Sequence, residues 1–160
     1  MSIWGAIAGG FVGTIVLTSA LSAGSALRLT RMDIPFLLGT AFSSDRVRAK
    51  AVGYLLHFVF GLLFALLYYV IFKAIDEASW WLGALFGAAH GIFAATALVS
   101  VLLPVVHPRM GTIATAADTN PLLEPPGFLL LNYGASTPLL TLIVHIAYGA
   151  VVGEFVALSG

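Results

Sequence analysis

The chain has 160 residues, of which 60% are hydrophobic and only 9% are charged, and its formal net charge is zero. Soluble globular domains usually carry about 25% charged residues, so this composition excludes an ordinary soluble surface. A neutral chain also lacks the broad basic field that favours nucleic-acid binding. The sequence contains no cysteine, which excludes thiol catalysis, disulfides and iron–sulfur clusters.

Four apolar stretches are long enough to cross a hydrocarbon core of about 30 Å, which takes about 20 helical residues. They are Ile3–Leu27, Ala51–Phe72, Trp80–Val106 and Pro138–Leu158. The first has no basic residues ahead of it and exceeds the 7–15-residue core typical of a signal peptide, so we expect a retained helix. The sequence therefore predicts an all-α, four-helix membrane bundle that forms a single domain over residues 1–160.

Basic residues are distributed unevenly between the two ends of this bundle. Loops 28–50 and 107–137, with the adjoining helix ends, hold Arg28, Arg31, Arg46, Arg48, Lys50 and Arg109, whereas the other side holds only Lys73. Cytoplasmic loops are enriched in lysine and arginine. We therefore expect these two loops to be cytoplasmic and both termini to face away from the cytoplasm, with Trp4, Trp80 and Trp81 at the outer interface.

The connections between the spans differ in kind. Asp76–Ser79 is short enough for a tight turn. The first long loop contains Ile34–Leu38, which is too short to span and is expected at the membrane interface. The second holds a proline cluster that includes Pro121, and then the apolar patch Phe128–Leu131. Because proline interrupts helices, we expect an irregular loop there.

Small residues recur every fourth position on all four predicted helices. Gly5, Gly9 and Gly13 on the first correspond to a similar set on the third, and His57 with Gly61 corresponds to His145 with Gly149. Spacing of four places each set on one ridge, where small side chains allow close helix contact. The pattern favours two similar helical hairpins related by a parallel repeat; chance similarity between glycine-rich helices is the alternative.

Histidines are the most conspicuous chemical groups in the spans. His57 and His145 each lie about 10 Å from the same membrane face at 1.5 Å per residue, and His90 lies near the midplane. An ionisable residue at this depth is a functional candidate, although a neutral imidazole also serves as interhelical packing. We predict cofactor binding by His57, His145 and His90, with haem or another tetrapyrrole between His57 and His145 as the preferred form.

A small metal ion is the second possibility for these side chains. Histidine suits zinc, copper or iron, and His107, at the end of the third span, would be a further ligand. Nucleotide-binding loops, metalloprotease motifs and cysteine nucleophiles are absent from the sequence. We therefore expect no enzymatic activity.

The motifs Gly9-Gly10-x-x-Gly13-Thr14, Asp33-Ile34-Pro35-x-x-Leu38-Gly39, His57-x-x-x-Gly61 and His145-x-x-Tyr148-Gly149 resemble a family of uncharacterised bacterial four-helix membrane proteins. The likeness extends over most of the chain. It implies a bacterial four-helix membrane protein, which we expect in the inner membrane, and it indicates nothing about mechanism or site residues.

Three functions remain open from the sequence. The first is a small non-enzymatic accessory or binding subunit whose histidines hold a tetrapyrrole or metal. The second is a transporter or channel for a small solute or protons, which would require a homo-oligomer because four helices leave little room for a central pathway. The third is a structural subunit of a larger membrane complex.

Overall fold

A computed structural model describes residues 1–110 and 123–160. Its helical elements, in chain order, are α1 (Ile3–Ala26), α2 (Ile34–Thr40), α3 (Arg46–Ile75), α4 (Trp80–Phe93), a π-helical segment (Ala94–Leu102), α5 (Leu103–Val106), a 3-10 helix (Phe128–Tyr133) and α6 (Thr137–Leu158). α4, the π-helical segment and α5 follow one another without a break and together form the third span.

The four predicted spans are confirmed as helices long and apolar enough to cross a membrane. Their outward faces are apolar: Leu55, Val70, Val101 and Leu139 each expose more than 60% of their surface. Soluble monomers rarely expose apolar area so widely, whereas a bilayer is a suitable solvent for it. The four-helix architecture and the composition therefore agree on an integral membrane protein.

α3 is longer than the sequence predicted. It runs for 30 residues, about 45 Å at 1.5 Å per residue, which exceeds the hydrocarbon thickness of about 30 Å. The extra turns carry Arg46 and Arg48 at one end and Lys73 at the other. Asp45 caps the helix by accepting a hydrogen bond from the Arg48 backbone N–H at 2.8 Å.

The two ends of the bundle are distinct. At the terminal end, where both chain termini lie, the Ser2 backbone N–H donates to Ser159 Oγ at 3.0 Å. The predicted tight turn also lies at this end, with Asp76 in the left-handed conformation (φ 55°) after α3. The opposite, basic end holds α2 and the described parts of the two long connections.

Close backbone contact organises the helix packing around α6. A Cβ built on Gly83 would lie 2.1 Å from the Gly149 carbonyl oxygen, and one built on Gly87 would lie 2.2 Å from that of His145. α1 packs on another side of α6, where Gly13 faces the Tyr148 ring. α1 also packs on α3, so the order around the bundle is α3, α1, α6, third span.

This packing departs from two-fold symmetry. The glycine ridges of α1 and α4 both face α6, although two equivalent hairpins would place one of them against α3. α3 instead meets α4 through large aromatic side chains and not through its backbone. The duplication itself stays a prediction, and the contacts of its two halves are unequal.

Short elements close the basic end. α2 packs against α3 so tightly that a Cβ on Gly53 would fall 1.5 Å from the Pro35 carbonyl oxygen. The segment predicted as an irregular loop contains the 3-10 helix, within which Leu129 (φ 53°) and Leu130 (φ 64°) are left-handed and Leu130 is fully buried. Pro121 and the rest of 111–122 lie outside the described residues.

Candidate functional site

A cavity of about 510 Å³ lies in the basic half of the bundle. α1, α3, α6 and the third span surround it, and its walls are almost entirely aliphatic and aromatic. His57, His90 and His145 are among its lining residues. Three histidines on three different helices thus border one apolar space.

Aromatic side chains explain why the cavity exists and where it ends. Between α3 and α4, the Phe72 and Phe86 rings stack with centroids 5.3 Å apart, and Tyr68 meets Phe86 edge-on at 5.8 Å. They hold the two helices apart while filling the terminal half, where Val152 and Val156 of α6 are also fully buried. Beyond His90, toward the basic end, the third span contributes only alanine, leucine and valine side chains to this gap, and the cavity lies there.

The cavity opens sideways between α3 and the third span. Leu63 and Leu67 of α3, and Leu102 and Val106 opposite them, line the cavity and yet expose half or more of their surface. In a bilayer this opening would face hydrocarbon. An apolar molecule dissolved in the membrane could therefore reach the histidines without passing through water.

The hydrogen bonds of His57 assign its tautomer. Thr18 Oγ1 donates to the Thr14 carbonyl oxygen at 2.7 Å, which uses its only proton. His57 Nδ1 lies 3.3 Å from the same hydroxyl oxygen, so Nδ1 carries the hydrogen and donates. His57 Nε2 then keeps a lone pair that no residue in 1–110 or 123–160 uses, on a ring that lines the cavity.

His145 reaches the same state by a different contact. Its Nδ1 lies 2.7 Å from the Thr141 carbonyl oxygen, which can only accept. Nδ1 must therefore carry the hydrogen, and Nε2 again keeps its lone pair. The ring is half-buried, and it lines the cavity together with that of His57.

His90 has a different environment. Its ring lies on Phe64 with centroids 3.8 Å apart, and its Nδ1 is 3.2 Å from Tyr68 Oη. The His90 and His145 centroids are 4.7 Å apart at 74°. Two imidazoles on opposite sides of one metal ion would have centroids about 6 Å apart. No macrocycle fits between these two rings, and the contacts of His90 favour a packing role.

His57 and His145 lie at the same level of the bundle. The Tyr148 hydroxyl on α6 donates to the Gly61 carbonyl oxygen on α3, and each histidine is about one turn away from this contact on the same side. The glycines that follow them both lie in close helix contacts. Gly61 borders the cavity, but a Cβ built on it would collide with the Thr14 hydroxyl of α1, and Gly149 touches Gly83 of α4.

Sequence reasoning missed one polar group in the cavity wall. Thr141 is 2% exposed and lines the cavity, and its hydroxyl has no hydrogen-bond partner in the described part of the chain. A buried polar group without a partner is costly and unusual. Its place one turn before His145, on the same face of α6, was the only signal available in the sequence.

His107 does not join the other three histidines. It is 5% exposed, its Nε2–H donates to the Leu37 carbonyl oxygen at 3.0 Å, and its Nδ1 accepts from the Arg109 backbone N–H at 3.1 Å. It therefore fastens the end of the third span to α2. Burial lowers the pKa of His107 from its ordinary value. No group of three or more histidine or carboxylate side chains is arranged around a metal position within residues 1–110 and 123–160.

Comparison of the chain with protein-family models, with curated proteins and with solved structures finds no match. The resemblance to a bacterial four-helix family stays a prediction, and the function has to be argued from the cavity.

Proposed function

We propose that the chain is a non-enzymatic binding protein of the membrane that holds a metallated tetrapyrrole in the histidine-lined cavity. The observation that carries the proposal is the pair of free Nε2 lone pairs, those of His57 and His145, at one apolar space. The cavity volume of about 510 Å³ falls within the range of roughly 300–1,000 Å³ found for small-molecule sites.

The hydrogen bonds behind the two rings support metal ligation. Histidines that bind a metal usually donate their other ring N–H to a fixed oxygen, which sets the tautomer and the orientation of the ring. The Thr141 carbonyl and the Thr18 hydroxyl do this for His145 and His57. A bound tetrapyrrole would supply the metal centre, and His57 and His145 would hold that metal through their Nε2 atoms in a dry environment.

The packing of the bundle also favours ligand binding over the two alternative functions, which are transport and a purely structural role. Rings and fully buried valines fill the terminal half of the bundle above the histidines. Water or ions would find no open path there through one chain. Transport would therefore require a homo-oligomer, and a purely structural subunit would not require histidines with free ring nitrogens at a cavity.

We further propose that the basic end faces the cytoplasm of a bacterial inner membrane, with both termini on the other side. Arg28, Arg31, Arg109 and the first turns of α3 lie at that end, and positive charge is retained on the cytoplasmic side. The ligand cavity would then lie in the cytoplasmic half of the bilayer.

Titration with haem tests the proposed binding. The purified protein, in nanodiscs, should bind one haem per chain with a saturable Soret band. Leu98→Trp places a larger side chain in the cavity wall and should weaken binding at least tenfold. Val101→Trp is the matched control because Val101 belongs to the same π-helical segment and is 61% exposed.

Two results would count against the proposal. One is haem binding by Leu98→Trp with unchanged affinity, which would place the haem elsewhere. The other is an absence of saturable binding by the wild-type protein while its thermal transition shows that it is folded.

A further inference from the structure

A second, polar pocket of about 160 Å³ adjoins the cavity at the basic end, between α1, α2 and α3. It combines hydroxyl groups with one ion pair; these side chains are Thr18, Ser22, Ser25, Tyr54, Asp33 and Lys50. Leu21, Met32 and Ile34 line both spaces. The apolar cavity therefore has a polar extension on the side of the basic loops.

One face of α3 connects the two spaces. Lys50, Tyr54, His57 and Gly61 follow at intervals of four, three and four residues, which places them on one side of a helix. Lys50 lies seven residues before His57, about 10 Å along the axis at 1.5 Å per residue. Thr18 lines the polar pocket and also contacts His57 Nδ1, so the histidine lies where the two spaces meet.

Among the described side chains that line the pocket, Lys50 is the only cation. Its Nζ lies 2.9 Å from Asp33 Oδ2, and both side chains are about 40% exposed. The other carboxylate oxygen, Asp33 Oδ1, accepts the Phe36 backbone N–H and caps α2. Asp33 thus has a structural role that persists without Lys50, and the ammonium group can take a second anionic partner.

We propose that this polar pocket receives the carboxylate side chains of the tetrapyrrole, with Lys50 as the charged contact and the hydroxyl groups as donors. The inference rests on the proposed function and adds the chemical class of the ligand: a metallated tetrapyrrole with free acidic groups on one edge. The apolar part of the ring lies in the cavity, and its acidic edge points to the basic end.

Haem and its dimethyl ester distinguish this inference from binding in the cavity alone. The ester keeps the metal and the ring but has no carboxylates. We expect the wild-type protein to bind haem roughly three- to tenfold more tightly than the ester, because the ionic contact is partly exposed. Lys50→Gln should abolish that preference by weakening the binding of haem and not that of the ester. Lys73→Gln, at the other end of α3, should leave the preference unchanged.

Asp33→Asn gives a change in the opposite direction. Asparagine still caps a helix, and the substitution removes the carboxylate that competes for Lys50. Haem should bind more tightly, with no change for the ester. Thermal transitions of all three variants report whether each is folded.

The outcomes separate the two proposals. Equal affinity for haem and ester in the wild-type protein, or an equal effect of Lys50→Gln on both, overturns the inference and leaves the cavity as the binding site. If Lys50→Gln changed only the stabilisation of the protein by anionic lipid, the pocket would be a site for a lipid phosphate. That result would also overturn the inference. Failure of both compounds to bind overturns the proposed function together with the inference.

Discussion

Substitution of Gly87 by alanine tests the contact between α4 and α6 that positions His145. The new Cβ would lie 2.2 Å from the His145 carbonyl oxygen and 2.9 Å from its carbonyl carbon. Optimal separations are about 3.5 Å or more, so the two backbones must move apart by about 1 Å. Overpacking typically costs 1–3 kcal/mol. We expect a loss near the upper limit, about 3 kcal/mol, because no flexible side chain can yield.

Gly91→Ala is the matched control on the same ridge. Its Cβ would meet the His145 Cβ at 3.1 Å and the Leu142 Cα at 3.2 Å, so a shift of a few tenths of an ångström suffices. We expect a loss below about 1 kcal/mol. The free energy of unfolding in detergent micelles, followed by far-UV circular dichroism, measures both variants. Equal losses for the two would refute the inferred backbone contact.

Three further predictions concern the ends of the bundle. Cysteine at Ser44 should be protected from an impermeant thiol reagent on intact cells and cysteine at Ser159 labelled; the reverse pattern would invert the proposed topology. Gly53→Ala should release α2 and increase its proteolysis, since the Cβ would fall 1.5 Å from the Pro35 carbonyl oxygen; unchanged proteolysis would contradict this contact. The pKa of His107 is lowered in the folded chain, so its contribution to stability holds above the unfolded value of 6.5 and falls as pH drops. Wild-type stability should therefore fall more between pH 7.5 and 5 than that of His107→Gln, and parallel profiles would contradict it.

The spans could be predicted from the sequence because a helix that crosses the hydrocarbon core needs about 20 apolar residues. A single polar residue does not hide a pattern of that length. Trp80–Val106 is confirmed as a span, but its π-helical part could not be foreseen, since hydropathy does not register a change in hydrogen-bond pattern. The extension of α3 to Arg46 was also missed. Charged residues with long side chains continue a helix into the interface, where hydropathy marks an end.

The candidate site was predictable in its members and less so in their roles. Depth along the helices made His57, His90 and His145 the candidates, and all three line one cavity, while their binding role stays a prediction. The separate role of His90 depends on Phe64 and Tyr68, which lie on another helix and have no sequence relation to it. The asymmetric packing around α6 likewise depends on the volumes of Phe72 and Phe86, which a spacing of small residues does not record.

The absorption spectrum of the haem-loaded protein tests the central claim most directly. Ligation by His57 and His145 predicts a six-coordinate, low-spin spectrum for the wild-type protein. His57→Ala and His145→Ala should each give a five-coordinate, high-spin spectrum or lose the haem, whereas His107→Gln should keep the low-spin spectrum. An unchanged low-spin spectrum in both alanine variants would contradict the account.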